Sequence, residues 1–106
     1  MIPTKHQLLT LLSDRIGRKN GQRVRDLAYN LRCSERLVRT LVTELREDGV
    51  AVCGHPTTGY FIAETAEELE ECCQFLRRRA LHSLGLEARL RKMPLPDLIG
   101  QLHLRT

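Results

Sequence analysis

Arginine and threonine side chains recur at helical spacing near the middle of the chain. Arg36, Arg39, Thr40 and Thr43 follow one another at spacings of three, one and three residues, and Glu35 stands directly before them. Side chains three and four residues apart lie on one face of a helix. Arginine can bind phosphates or guanine edges, and threonine can contact phosphates or a thymine methyl group. The pattern therefore favours binding of a polyanion by one helix face.

Charge is unevenly distributed along the 106 residues, whose formal net charge is +4. Residues 15–46 contain nine Lys/Arg and three acids, residues 64–71 contain five glutamates and no base, and residues 77–92 contain six bases and one acid. Such blocks produce local surface fields. The basic first block points to nucleic acid, although a merely solvated basic surface has the same composition. Aromatic residues make up only 4% of the chain, which disfavours base stacking on single strands.

The remaining reactive side chains do not form a known catalytic or metal-binding pattern. The four cysteines are Cys33, Cys53, Cys72 and Cys73. The last two are adjacent in a predicted helix, so their side chains diverge by about 100° and cannot form the usual chelating pair. There is no Ser-His-acid motif and no Gly-rich phosphate loop. We interpret the cysteines as reduced thiols and expect a binding module, not an enzyme, with no metal, cofactor or small-molecule ligand indicated.

Hydropathy and the first residues of the chain indicate the cellular compartment. No apolar run approaches the roughly 20 residues needed to span a bilayer. The first residues lack the charged-then-apolar layout of a signal peptide, and an acid appears at Asp14. We therefore expect a cytoplasmic protein with no membrane partner.

Capping residues and apolar periodicity predict three helices in the first half. A capping box from Thr4 to Gln7 begins a helix over 5–16, and Gly17 is placed to end it. A shorter helix is predicted over 25–32. Ser34 is a favourable N-cap for a third helix over 35–48, which Asp48 and Gly49 close.

Two short β-type runs follow, Val50–Cys53 and Tyr60–Ala63, around a turn rich in Gly, Pro and Thr. They predict a hairpin. Period-two alternation directs Phe61 away from the helices. We therefore expect the C-terminal helix to bury Phe61. The strand positions on the other face of the hairpin direct four side chains toward the helices: Val50, Val52, Tyr60 and Ile62.

Helix, short turn, helix and hairpin form the arrangement of a winged helix-turn-helix, and the residues between Val24 and Leu41 carry the resemblance. Leu27, Ala28, Leu31, Cys33, Val38 and Leu41 stand at the spacings of that motif, with alanine at the close approach of the two helices. Arg32 occupies the turn position often held by glycine. The stretch from Leu8 to Ile62 is similar to the family of winged-helix regulators that includes the biotin operon repressor.

The resemblance implies that helix 35–48 is a recognition helix lying in the major groove of double-stranded DNA. Arginines around the second helix would contact the DNA backbone. The hairpin is called the wing, and its turn lacks lysine and arginine and offers only His55 and its neighbours. The predicted DNA-binding residues are Arg23, Arg25, Glu35, Arg36, Arg39, Thr40, Thr43, His55 and Thr57.

A long helical pattern from Thr65 to about Met93 follows the hairpin, and a short helix is predicted from about Pro96. The acidic start and basic end of the long helix would complement each other in an antiparallel pair of chains. The predicted dimerisation residues are Leu69, Cys73, Leu76, Ala80 and Leu84. The alternative is that this helix packs on its own winged helix.

The sequence thus predicts a mainly α fold with a small β-hairpin, in which residues 1–63 form a winged helix-turn-helix and residues 64–106 form a helical extension. We expect a homodimeric, sequence-specific DNA-binding protein, a small transcriptional regulator of bacterial or bacteriophage type. The alternative function is a winged-helix adaptor that docks another protein of a replication or packaging assembly. The excess of arginine in the second and third helices favours DNA binding.

Overall fold

The computed structural model describes residues 2–102. Its elements are, in chain order, α1 (Lys5–Leu12), a 3₁₀ turn (Arg18–Asn20), α2 (Val24–Leu31), α3 (Glu35–Glu47), β1 (Val52–His55), β2 (Gly59–Ile62), α4 (Ala66–Arg91) and α5 (Leu95–Gln101). The fold is mainly helical with one small antiparallel hairpin and a long C-terminal helix. Three helices followed by a hairpin have a winged-helix-like topology, as predicted. The chain divides into two compact units, Met1–Cys72 and Cys73–Thr106.

The first unit is built on one apolar core between α1, α2, α3 and the hairpin. The fully buried leucines Leu8, Leu12, Leu27 and Leu45 come from the three helices. Val52 from β1 completes the core, and Val50, Tyr60 and Ile62 pack against it. The predicted inward face of the hairpin is therefore confirmed.

The helix starts follow the predicted caps. The backbone N–H of Thr4 donates to Gln7 Oε1 at 2.8 Å while Gln7 N donates back to Thr4 Oγ1, which completes the capping box. Leu37 N donates to Ser34 Oγ at 3.0 Å at the start of α3. These bonds satisfy backbone donors that lack a partner in the first turn of a helix.

The predicted end of the first helix at residue 16 is wrong, because α1 ends at Leu12. The segment after it leaves the helix and runs beside β2, where Ile62 N donates to the carbonyl of Arg15 at 2.7 Å and Gly17 N donates to the carbonyl of Ile62 at 2.8 Å. Ile16 thus forms a parallel bridge to Ile62. Gly17, with φ of 89°, serves this extended segment and not the end of α1.

The turn between α2 and α3 depends on a left-handed arginine. Arg32 has φ of 56° and ψ of 49°, and Cys33 N donates to the carbonyl of Ala28 at 3.0 Å. Glycine is the usual residue for this helix ending, and another residue there costs roughly 1–2 kcal/mol. Arg32 therefore adopts the left-handed turn that glycine adopts in the motif.

The strands span Val52–His55 and Gly59–Ile62, slightly later and earlier than predicted. Phe61 lies opposite Cys53 in the hairpin and is only 2% exposed, yet neither belongs to the core of the three helices. The Sγ of Cys53 lies 3.7 Å from the carbonyl oxygen of Glu68, in the first turn of α4. The start of α4 therefore covers the outer face of the hairpin, as the period-two pattern of Phe61 predicted.

In the second unit, α4 ends where Lys92 turns left-handed with φ of 56° and Met93 N donates to the carbonyl of Ala88 at 3.0 Å. Pro94 then caps α5. The buried side chains among the described residues of this unit are Ala88 and Leu98, which places the contact of α5 at the end of α4. None of the helices in residues 2–102 combines the length and the apolar character that a membrane span requires.

Candidate nucleic-acid interface

The buried residues of α3 determine which of its side chains point to solvent. Val38, Leu41, Val42 and Leu45 are at most 3% exposed, so the helix is anchored along its whole length. Residues between these anchors must point to solvent. All five predicted recognition residues of α3 are exposed: Glu35, Arg36, Arg39, Thr40 and Thr43.

The two arginines of this face are available to a ligand. Arg39 Nη2 lies 3.6 Å from Glu35 Oε1, and both side chains are about half exposed. An exposed pair of this kind is worth only about 0–1 kcal/mol, so a phosphate or a guanine can replace it. Within the part of the chain that the structure describes, Arg36 forms no ion pair with a carboxylate. The face therefore presents one free guanidinium and one that is weakly held.

The two threonines are preorganised by their own helix. Thr40 Oγ1 donates to the carbonyl of Arg36, and Thr43 Oγ1 donates to the carbonyl of Arg39, each at 3.2 Å. With the hydroxyl proton used in this way, each oxygen keeps acceptor capacity and each methyl group adds apolar surface. Such side chains can accept a hydrogen bond from a base or contact a thymine methyl group.

The wing is attached to the start of α2. Gln22 and Tyr60 exchange two backbone hydrogen bonds of 2.8 Å, and Arg23 Nε donates to the carbonyl of Thr57 at 3.3 Å. The predicted residues Arg23 and Thr57 are therefore in contact, although 34 positions separate them. The wing sequence contains no lysine or arginine, but the fold supplies it with the guanidinium of Arg23.

His55 is the last residue of β1, directly before the turn of the wing. Its Nδ1 accepts a hydrogen bond from Thr57 N at 3.1 Å, and the side chain is half-buried. A histidine held in this way shapes the turn, while the neighbouring Thr57 is exposed. Of the two predicted wing residues, Thr57 is the better placed for contact with a ligand.

The outer side of α2 carries a feature that the sequence reasoning missed. Tyr29 is 83% exposed, and Arg25, one turn earlier, is also exposed beside Asp26 at 3.6 Å. Because Leu27, Ala28 and Leu31 face the core, the helical period alone would have placed Tyr29 outward. Its hydroxyl can donate to a phosphate. Tyr29 therefore joins Arg25 as a candidate contact to a nucleic-acid backbone.

The acidic block at the start of α4 has a structural role. Glu68 accepts hydrogen bonds from Glu64 N at 2.8 Å and from Arg18 N at 3.0 Å, and these two backbone donors lower the pKa of its carboxyl group. The guanidinium of Arg18 pairs with Glu71. These contacts attach the first turns of α4 to the 3₁₀ turn.

The thiols of Cys53 on β1 and Cys72 on α4 lie close together between the hairpin and the first turns of α4. Cys72 Sγ lies 3.7 Å from the carbonyl oxygen of Val52, and Arg46 Nη2 lies 3.9 Å from Cys72 Sγ. Burial, followed by the neighbouring Cys72, raises the pKa of the Cys53 thiol. Among the described residues, His, Cys, Asp and Glu nowhere form a group of three or more able to hold a metal ion.

The predicted dimerisation residues lie along α4. Leu69, Cys73, Leu76 and Ala80 are exposed, and Leu84 is half-buried.

Comparison of the chain with protein-family models, with curated proteins and with solved structures finds no match in any of the three.

Proposed function

We propose that this protein binds double-stranded DNA with sequence specificity and inserts α3 into the major groove. The observation that carries the proposal is the exposed face of α3, where Arg36, Arg39, Thr40 and Thr43 stand on a helix whose opposite face is buried. Rigid anchoring matters because base readout requires side chains held in fixed register with the groove.

The surrounding basic groups support the same orientation. Arg25 and Tyr29 lie on α2, which precedes the recognition helix in a winged helix-turn-helix, and Arg23 at the start of α2 contacts the wing, which follows that helix. Contacts of arginine and tyrosine with phosphates position a protein on the duplex, and contacts with base edges specify the sequence. The role that we propose is that of a small transcriptional regulator of a bacterium or bacteriophage, as the resemblance of residues 8–62 implies.

The test begins with selection of bound sequences from a random duplex library at stated salt, because affinity for DNA depends steeply on ionic strength. Arg36→Ala and Arg39→Ala are then compared with the parent on the selected duplex by fluorescence anisotropy. Arg89→Ala, an exposed arginine in the last turns of α4, removes the same charge outside α3 and serves as the matched control.

Loss of a bidentate base contact should weaken binding by about 1–3 kcal/mol and relax the preference at one base pair. Loss of a phosphate contact should instead reduce the salt slope by about one unit. Arg89→Ala should bind as the parent does. If both α3 variants match the parent at every salt concentration, α3 is not the reading element.

A second candidate function is a winged-helix adaptor that docks a protein. It is favoured by one observation: residues 1–72, the first unit, contain ten bases and eleven acids, because the glutamates of α4 offset the arginines of α2 and α3. Under this alternative, selection enriches no sequence, and the α3 variants weaken binding of a protein partner instead.

A further inference from the structure

The long helix α4 exposes more apolar surface than a solvated helix requires. Leu69 is 43% exposed and Leu76 is 41% exposed, although both recur in the apolar pattern of the helix. Contiguous exposed apolar surface on a protein usually marks a site of association. The exposed residues of this pattern are Leu69, Cys73, Leu76 and Ala80, which we call the α4 stripe.

The α4 stripe has the geometry of a helix-pairing seam. At about 100° per residue, its four members fall within about 60° of one another around the helix. Their spacings of four, three and four residues are those of alternating a and d positions in a heptad repeat. Leu84, which continues the pattern, is half-buried near the buried Ala88, so the free part of the seam ends at Ala80.

Side-chain size selects the direction of pairing. In an antiparallel pair of α4 helices centred between residues 74 and 75, Leu69 of one chain faces Ala80 of the other, and Cys73 faces Leu76. Every layer then combines one leucine with one small side chain, which gives an even separation of the helices. A parallel pair would stack leucine on leucine in two layers and leave cysteine and alanine stacked on themselves in the others.

Charge selects the same direction. In that antiparallel register, the acidic first turns of α4, where Glu71 also pairs with Arg18 of its own chain, lie beside Arg78 and Arg79 of the second chain. A parallel pair would place the glutamates of 67–71 beside the same glutamates of the other chain. Exposed cross-pairs contribute little affinity, but like charges in contact oppose the wrong orientation.

We propose that the α4 stripe is a homodimer interface and that its occupant is the α4 stripe of a second copy of this chain, in antiparallel orientation. The proposal does not depend on DNA binding.

The first experiment is sedimentation equilibrium without DNA, at roughly 50 µM protein, a concentration within the usual micromolar range of modest interfaces. The parent should have twice the 12.2 kDa mass of one chain. Leu76→Asp should reduce the mass to that of one chain. Leu86→Asp is the matched control, since Leu86 is 48% exposed on the same helix but lies about 110° from the stripe, and it should remain dimeric.

The second experiment reports direction through disulfide crosslinking. Leu76→Cys should give a reducible covalent dimer under mild oxidation with oxidised glutathione, because position 76 faces Cys73 of the other chain. The parent should give little, because its Cys73 side chains face leucines. A crosslinked parent indicates a parallel pair and overturns the proposed orientation.

Circular dichroism of each variant shows whether its helices are retained, so that a monomer is not confused with an unfolded chain. A parent that is monomeric at this concentration, or a folded Leu76→Asp variant that remains dimeric, overturns the interface. Failure of Leu76→Cys to crosslink while the parent is dimeric overturns the register. None of these results bears on whether α3 binds DNA.

Discussion

Gly59 is the position at which the wing depends most directly on the absence of a side chain. It has φ of 90°, and a Cβ atom there would lie 2.3 Å from the carbonyl oxygen of Gln22 and 2.6 Å from Arg23 N. Both contacts are with backbone atoms, so no side chain can move aside. Gly59→Ala must therefore separate β2 from the start of α2.

The expected cost can be worked from these contacts. The positive φ costs an alanine roughly 1–2 kcal/mol. Loss of the two hydrogen bonds between Gln22 and Tyr60 adds about 0.5–1.5 kcal/mol each. The smaller conformational entropy of the unfolded variant returns about 0.4–1 kcal/mol. We expect Gly59→Ala to lower the free energy of unfolding by about 1–5 kcal/mol.

Gly49→Ala is the matched control, because Gly49 also has a positive φ, 86°, but a Cβ atom there meets nothing within 4 Å. It should cost only the conformational difference, about 0–1.5 kcal/mol. Urea unfolding followed by tyrosine fluorescence measures both variants, since Tyr60 lies in the wing and the chain has no tryptophan. If Gly59→Ala is as stable as Gly49→Ala, the close approach of the wing to α2 is wrong.

Two further predictions concern the contacts of the first turns of α4 with the 3₁₀ turn and with the hairpin. Glu68→Gln should lower the melting temperature at neutral pH. Hydrogen bonds from Glu64 N and Arg18 N lower the pKa of the Glu68 carboxyl group in the folded protein. The ionised carboxylate therefore stabilises the fold at neutral pH, and this stabilisation is lost as the pH falls through the lowered pKa. The melting temperatures of parent and variant should therefore converge in acid. A difference in melting temperature that stays constant down to about pH 3, which is below the ordinary carboxyl pKa, would contradict the assignment. Cys53 should resist iodoacetamide at pH 8 until urea unfolds the chain, because burial raises the pKa of its thiol and the thiolate is the nucleophile. Peptide mass mapping measures this, and native modification at the unfolded rate would show that Cys53 is accessible.

The features that the sequence predicted correctly are held by interactions within one helical turn or one strand. The caps at Thr4 and Ser34 involve partners three residues away, so their hydrogen bonds can be identified without knowledge of the fold. The outward face of α3 follows from the same local geometry, because Val38, Leu41, Val42 and Leu45 leave only one direction for Arg36 and Arg39. Alternation along β2 likewise placed Phe61 opposite the core.

The features that the sequence did not reveal involve residues far apart in the chain. The segment around Ile16 satisfies the helical pattern, yet it leaves the helix because hydrogen bonds with Ile62 are available. Arg23 reaches the wing across 34 positions, and Arg18 meets Glu68 across 50. Helix periodicity and caps report interactions between residues close in sequence. The long-range contacts form only after the apolar core has brought distant segments of the chain together. The sequence by itself therefore determined the elements and the face of α3, and the tertiary structure decided what surrounds that face.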